Sequence, residues 1–197
     1  MSPAMRRGLV IFGAGLAILV AALLVQLWTT RPNEGPTLGV SIGGPFSLTD
    51  QTGKKRRDAE FRGKLMLVYF GYAYCPDVCP TELQAMSEAL EQLGPKASEV
   101  QPIFITVDPE RDTPELLTNY AQNFDSRFLM LTGSDAQIAE AARGYKVYYK
   151  RTVKSDGEVQ VDHSSFVYLM GKDGRYLAHF SPGTTPEQMA AAIAKRL

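Results

Sequence analysis

The chain has 197 residues, a length that suits one folded domain plus an appendage. Lys plus Arg and Asp plus Glu stand at 21 each, so global charge argues for neither nucleic acid nor an acidic partner. No internal repeat or low-complexity tract competes with a single globular reading.

From the N-terminus, Leu9 to Trp28 carries no charged residue and is interrupted only by the polar Gln26. About 20 helical residues span the roughly 30 Å hydrocarbon core of a bilayer. A soluble helix would keep a polar face, and this one has none. Arg6 and Arg7 precede it, so the positive-inside rule leaves the N-terminus cytoplasmic and sends the rest across. A cleaved signal peptide fits less well: its apolar region is shorter and ends in small residues, whereas this run ends Leu27-Trp28-Thr29-Thr30. The expected organisation is a cytoplasmic stretch 1–7, a transmembrane anchor 8–28, a Pro/Gly-rich linker 29–37 and a folded domain 38–197. That domain then faces an oxidising compartment, the periplasm if the membrane is a bacterial inner membrane.

Within the domain, Lys54 to Arg57 reads as a solvated turn without function. Leu65 to Phe70 is a continuous apolar run between glycines, a strand buried on both faces. Cys79, Leu83, Met86, Leu90 and Leu93 form one helical stripe, ended by Gly94-Pro95. Ile103 to Val107 is a second buried strand. Asp112-Thr113-Pro114-Glu115 then announces a helix through a capping residue, a first-turn proline and an early acid. Phe128 to Leu131, a helix over Ala136 to Arg143 and a strand-like Lys146 to Tyr149 continue the alternation. Phe166 to Met170, a turn at Gly171–Gly174, a strand from Arg175 to Phe180 and a helix opened by Thr185-Pro186 complete it.

This order predicts a thioredoxin-like α/β fold, a central mixed sheet flanked by helices. Right-handed crossovers put the carboxyl ends of parallel strands on one edge, where such proteins bind ligands. Cys75 follows the first of these strands and Asp108 the second. His163 precedes an antiparallel strand, which starts where its parallel neighbours end. All three are expected at that edge.

Both cysteines lie in Tyr72-Ala-Tyr-Cys75-Pro-Asp-Val-Cys79-Pro80. The spacing suits a redox pair, part of a metal site or a structural bridge. A helix starting between them, with Asp77 as candidate N-cap, lowers thiolate pKa and favours ligation or nucleophilic attack over a dry structural role. Cys79 opens the apolar stripe and is expected to be the more buried thiol. Two thiolates and an imidazole make a soft, low-coordinate site that selects Cu(I) and also binds zinc. The histidines are His163 and His179. The loop position favours His163, while His179 alternates within a strand and is read as structural. Asp108, before Pro109, is read as a turn organiser rather than a site carboxylate.

FGYAYCPDVCP, VDPERDTP at Val107 to Pro114, GYKVYY at Gly144 to Tyr149 and VDHSSFVYLM at Val161 to Met170 together resemble the Sco/SenC family of membrane-anchored copper proteins. The resemblance implies copper, Cu(I) or Cu(II), held by Cys75, Cys79 and His163. It also implies delivery to the copper-centre subunit of cytochrome c oxidase, with other periplasmic copper carriers or thiol reductants as further partners. Tyr74 departs from the family pattern, in which a histidine often precedes the first cysteine. The alternative function is a thiol-disulfide oxidoreductase that reduces an apo-oxidase subunit through Cys75 and Cys79. A disulfide between them is then the oxidised form of the site, unable to supply thiolates.

Overall fold

The computed structural model describes residues 41–197 together with Val20. The expected anchor and linker lie outside the described residues apart from Val20, and among those described no helix is long and apolar enough to cross a membrane.

The apolar runs dominate the architecture. Strands β1 (Ser47–Asp50), β2 (Lys55–Arg57), β3 (Leu65–Gly71), β4 (Val100–Thr106), β5 (Leu129–Thr132), β6 (Tyr149–Val153), β7 (Val159–His163), β8 (Val167–Met170) and β9 (Tyr176–Phe180) are joined by four α-helices. These are α1 (Val78–Gln92), α2 (Pro114–Ala121), α3 (Asp135–Tyr145) and α4 (Pro186–Ala194). Seven strands form one mixed sheet in the order β2-β1-β5-β4-β3-β8-β9, while β6 and β7 pair as a separate hairpin. Every residue of β3 is buried, as is every residue of β4 except Gln101, which is why both read as unbroken apolar runs rather than alternating ones. Cys79, Leu83, Met86 and Leu90 of α1 are all buried, so the predicted stripe is the face that covers the sheet. α1 also packs against α4, while α2 packs against β5 and α3 against β1.

Caps follow local chemistry. Thr113, Ser134 and Thr185 each accept a helix N–H through the side-chain oxygen at the N-termini of α2, α3 and α4. Lys146 ends α3 at φ 59°, so the expected strand begins only at Tyr149. The basic run is also corrected: Lys55–Arg57 is the edge strand β2, not a turn. Arg56 Nε donates to the buried Asp50 at 2.7 Å, and the charged side chains blunt an otherwise open sheet edge.

The topology assembles the site. β3 and β4 run parallel, with Gly71 opposite Thr106, so the loops that follow them leave the same edge. β8 is antiparallel to β3, with Val167 opposite Tyr69, so its start meets the end of β3. The hairpin before it delivers His163 to that edge. Its turn is marked in the sequence by Asp156-Gly157 between valine-bearing strands.

Candidate metal centre

The segment from Tyr72 to Asp77 carries the chain from β3 into α1. Asp77 occupies the N-cap position, but its carboxylate makes no capping hydrogen bond. Its carbonyl instead accepts from the Thr81 N–H and hydroxyl at 3.3 and 2.9 Å. The sulfur of Cys75 takes the vacant role, accepting the Cys79 N–H at 3.4 Å. An otherwise orphaned helix donor is thus aimed at a thiol sulfur. Cys79 is fully buried and Cys75 only partly, as the stripe predicts. Room for the Cys79 sulfur comes from Gly71: a Cβ there would lie 2.9 Å from Cys79 Sγ and 2.9 Å from the Tyr69 ring.

His163 ends β7, opposite Tyr149. Its Nδ1–H donates to the Ser164 carbonyl at 3.1 Å, which turns Nε2 toward the two sulfurs. Nε2 lies 3.3 Å from Cys79 Sγ. Tyr72 and Tyr69 meet the imidazole edge-on, with centroids 5.8 and 6.1 Å away, and so restrict its rotation. The ligand atoms of Cys75, Cys79 and His163 all lie within 4.8 Å of one another. Cys75 and His163 border a cleft of about 340 Å³ that is also lined by Tyr72, Asp77 and Val161.

Both cysteines are free thiols. The hydrogen bond from the Cys79 thiol pulls the Cys75 thiol down to about 3; burial opposes this, while His163 and the Asp77 and Cys79 N–H groups assist. The same sharing, with burial, pushes Cys79 far up. The pair therefore holds one thiolate on the accessible sulfur and one proton on the buried one. Two soft sulfurs and an imidazole nitrogen facing a small gap suit a soft cation of low coordination number, or thiol-disulfide chemistry between the sulfurs.

Asp108 reaches the same edge but not the cluster. Its side chain is wholly buried, paired with Arg111 and, at 3.4 Å, with Arg151 of β6. Its backbone carbonyl accepts the N–H groups of Arg111 and Asp112 at 3.2 and 3.0 Å, so a turn does form there, but the carboxylate pairs with arginines rather than with the turn's backbone. The Arg111 guanidinium stands over the Tyr74 ring at 4.9 Å. His179 lies on β9, bonded to the Tyr176 hydroxyl at 2.6 Å and outside the cluster. Asp112, unrecognised in the sequence, is buried and accepts the Ala73 N–H at 2.9 Å and the Thr106 hydroxyl at 2.6 Å. Desolvation raises its pKa to about 6 against the pull of those bonds. An Asp beside a helix start signals a cap, and nothing local reveals a partner 39 residues away.

The family model described as SCO1/SenC matches residues 34–197. The SCO2-like protein of Rickettsia prowazekii is 44% identical over 176 residues, covering 84% of this chain and 85% of its own. The structure of Bradyrhizobium japonicum ScoI with copper bound superposes with a TM-score of 0.75 at 46% identity, over 80% of this chain and all of that one. Yeast Sco1 with copper bound gives a TM-score of 0.73 at 35% identity, covering 79% of this chain and 87% of that one.

Proposed function

The chain belongs to the SCO1/SenC family, and from that premise we propose that it is a membrane-anchored copper chaperone serving cytochrome c oxidase assembly. Cys75, Cys79 and His163 hold one copper ion and pass it by ligand exchange to the copper-centre subunit of the oxidase. The observation that carries this reading is the convergence of two sulfurs and an imidazole nitrogen within 4.8 Å, from segments 84 residues apart. The partial exposure of Cys75 and His163 lets an incoming ligand reach the metal, while buried Cys79 holds it until the others have exchanged. In this reading residues 8–28 anchor the chain in a bacterial-type inner membrane and the domain lies in the periplasm.

Full-length chain, reduced and solubilised in detergent, is expected to take up one copper ion with sulfur-to-copper charge-transfer absorption. A His163→Ala chain with the same stoichiometry, affinity and spectrum would remove that ligand from the assignment.

A second reading, thiol-disulfide oxidoreductase acting on apo-oxidase cysteines, draws support from the asymmetry of the pair. An accessible thiolate beside a buried thiol is the arrangement of an attacking and a resolving cysteine. Reductase activity survives loss of His163, and copper delivery does not, so the same variant separates the two.

A further inference from the structure

Among the described residues of the folded domain, the exposed large apolar and aromatic side chains are Tyr74, Tyr148, Val153 and Phe166. Scattered singly over a surface, such residues need no explanation. Here all but Val153 stand beside the metal-site residues. Tyr74, 55% exposed, directly precedes Cys75. Tyr148, 62% exposed, is fixed next to His163: its N–H donates to the Ser164 hydroxyl at 3.1 Å and its carbonyl accepts the Ser164 N–H at 2.9 Å. Phe166, 36% exposed, lies between His163 and the start of β8, its ring edge-on to that of His179 at 5.1 Å. Val153 ends β6, opposite Val159 and away from His163. Tyr74 also lines a cleft of about 290 Å³, together with Leu116, Asn119 and Tyr120 of α2. Asp77 apart, the charges of this edge are matched within the chain: Arg111 and Arg151 pair with Asp108, Arg151 also with Glu110, and Asp162 stands opposite Lys150. What the edge offers a partner is therefore apolar surface with little net charge.

Copper passes by ligand exchange only if the recipient's own ligands reach an ion held at Cys75 and His163, so the recipient must cover this edge. Tyrosine and other aromatic side chains anchor such contacts well, because they bury much area for little lost conformational freedom. We propose that Tyr74, Tyr148 and Phe166 are the anchors on which the domain docks the protein that receives its copper. This rests on the copper-chaperone reading above. The chemistry of the surface defines what the recipient presents: an apolar rather than a charged face around its metal ligands, with one apolar side chain that enters the cleft beside Tyr74.

The test measures copper transfer from the full-length chain in detergent to the metal-free copper-centre subunit of the oxidase, for Tyr74→Ser, Tyr148→Ser and Phe166→Ser, with Val153→Ser as control. Copper stoichiometry and the charge-transfer spectrum are expected to stay unchanged, because none of these side chains is a ligand. Transfer at low recipient concentration is expected to slow by about 10–100-fold in the anchor variants and to regain its limiting rate at saturating recipient. Val153→Ser is expected to transfer normally, and added salt to change the rate less than about threefold. Unaltered transfer in all three anchor variants, or an equal loss in Val153→Ser, would overturn the proposal while leaving the copper reading standing. Altered copper binding would also overturn it, since the rings would then act on the metal site itself. A steep fall with salt would overturn the apolar recipient face. Self-association of the chain that the same substitutions abolish would assign the surface to a second copy instead. If the unaltered chain passes no copper to the subunit, the delivery reading falls and the proposal falls with it.

Discussion

Asp108 and Arg151 pair at 3.4 Å across the edge of the domain, one from the loop after β4 and the other from the hairpin that carries His163. The same carboxylate pairs with Arg111, whose guanidinium stands over Tyr74, next to Cys75. Asp108 thus ties the cysteine segment to the histidine hairpin without entering the cluster of Cys75, Cys79 and His163. The second arm of Arg151 reaches Glu110 at 2.7 Å, so the hairpin is held at two points.

Replacing Arg151 with Gln is expected to cost about 1 kcal/mol in domain stability, the range of a partly exposed ion pair. Its larger effect is local. Amide hydrogen exchange over Tyr149–Val153 and Val159–His163 is expected to accelerate while β3 and β4 keep their protection. Copper dissociation quickens because His163 is less firmly placed. Unchanged exchange in the hairpin would show that its own strand pairing suffices.

The shared proton of the cysteine pair predicts a single ionisation over the accessible pH range. With Cys75 drawn down to about 3 by the Cys79 thiol, one thiolate persists throughout neutral pH and the second does not appear as pH rises past the ordinary thiol range. Thiolate ultraviolet absorption of the reduced chain measures this directly. In Cys79→Ser the hydroxyl still donates, so a thiolate remains at neutral pH; in Cys79→Ala the Cys75 ionisation is expected to move upward toward the ordinary thiol range.

Asp112 gives a pH dependence of stability with a definite sign. Burial raises its pKa in the fold to about 6, above the ordinary carboxyl value of 3.8, so between these values the native state binds more protons than the unfolded one. Stability from this group is complete below pH 4 and declines as pH rises through 6, by on the order of 2–3 kcal/mol. Asp112→Asn keeps acceptors for the Ala73 N–H and the Thr106 hydroxyl. Denaturant unfolding from pH 4 to 7 is expected to show a flatter decline, or a steeper rise, in this variant than in the unaltered chain.

Gly71→Ala places a methyl group 2.9 Å from Cys79 Sγ and 3.1 Å from the Phe104 ring. Overpacking of this kind costs about 1–3 kcal/mol. The sulfur is expected to shift from His163 Nε2, so copper affinity falls together with the thermal midpoint. A stable variant with unaltered copper binding would show that the neighbouring rings can give way instead.

What could be read from the chain were features whose cause is local. β3 and β4 are apolar runs, the α1 stripe repeats at helical spacing, and Thr113, Ser134 and Thr185 sit where a helix needs an oxygen. Once the element order implied a parallel sheet with an antiparallel return, Cys75, Asp108 and His163 had to share an edge, and they do. Strands β1, β2, β6 and β7 escaped: β2, β6 and β7 are mostly exposed and leave little apolar pattern, and β1 is four residues with the polar Asp50 among its buried ones. Asp77 reads as the cap from its neighbours alone, yet the Cys75 sulfur takes the helix N–H, because the backbone at Asp77 turns its carboxylate away. Asp112 looks like a helix-start acid. Its partners come from β4 and from the loop after β3, and an environment built by long-range packing decides which buried carboxyl is satisfied and which thiol keeps its proton.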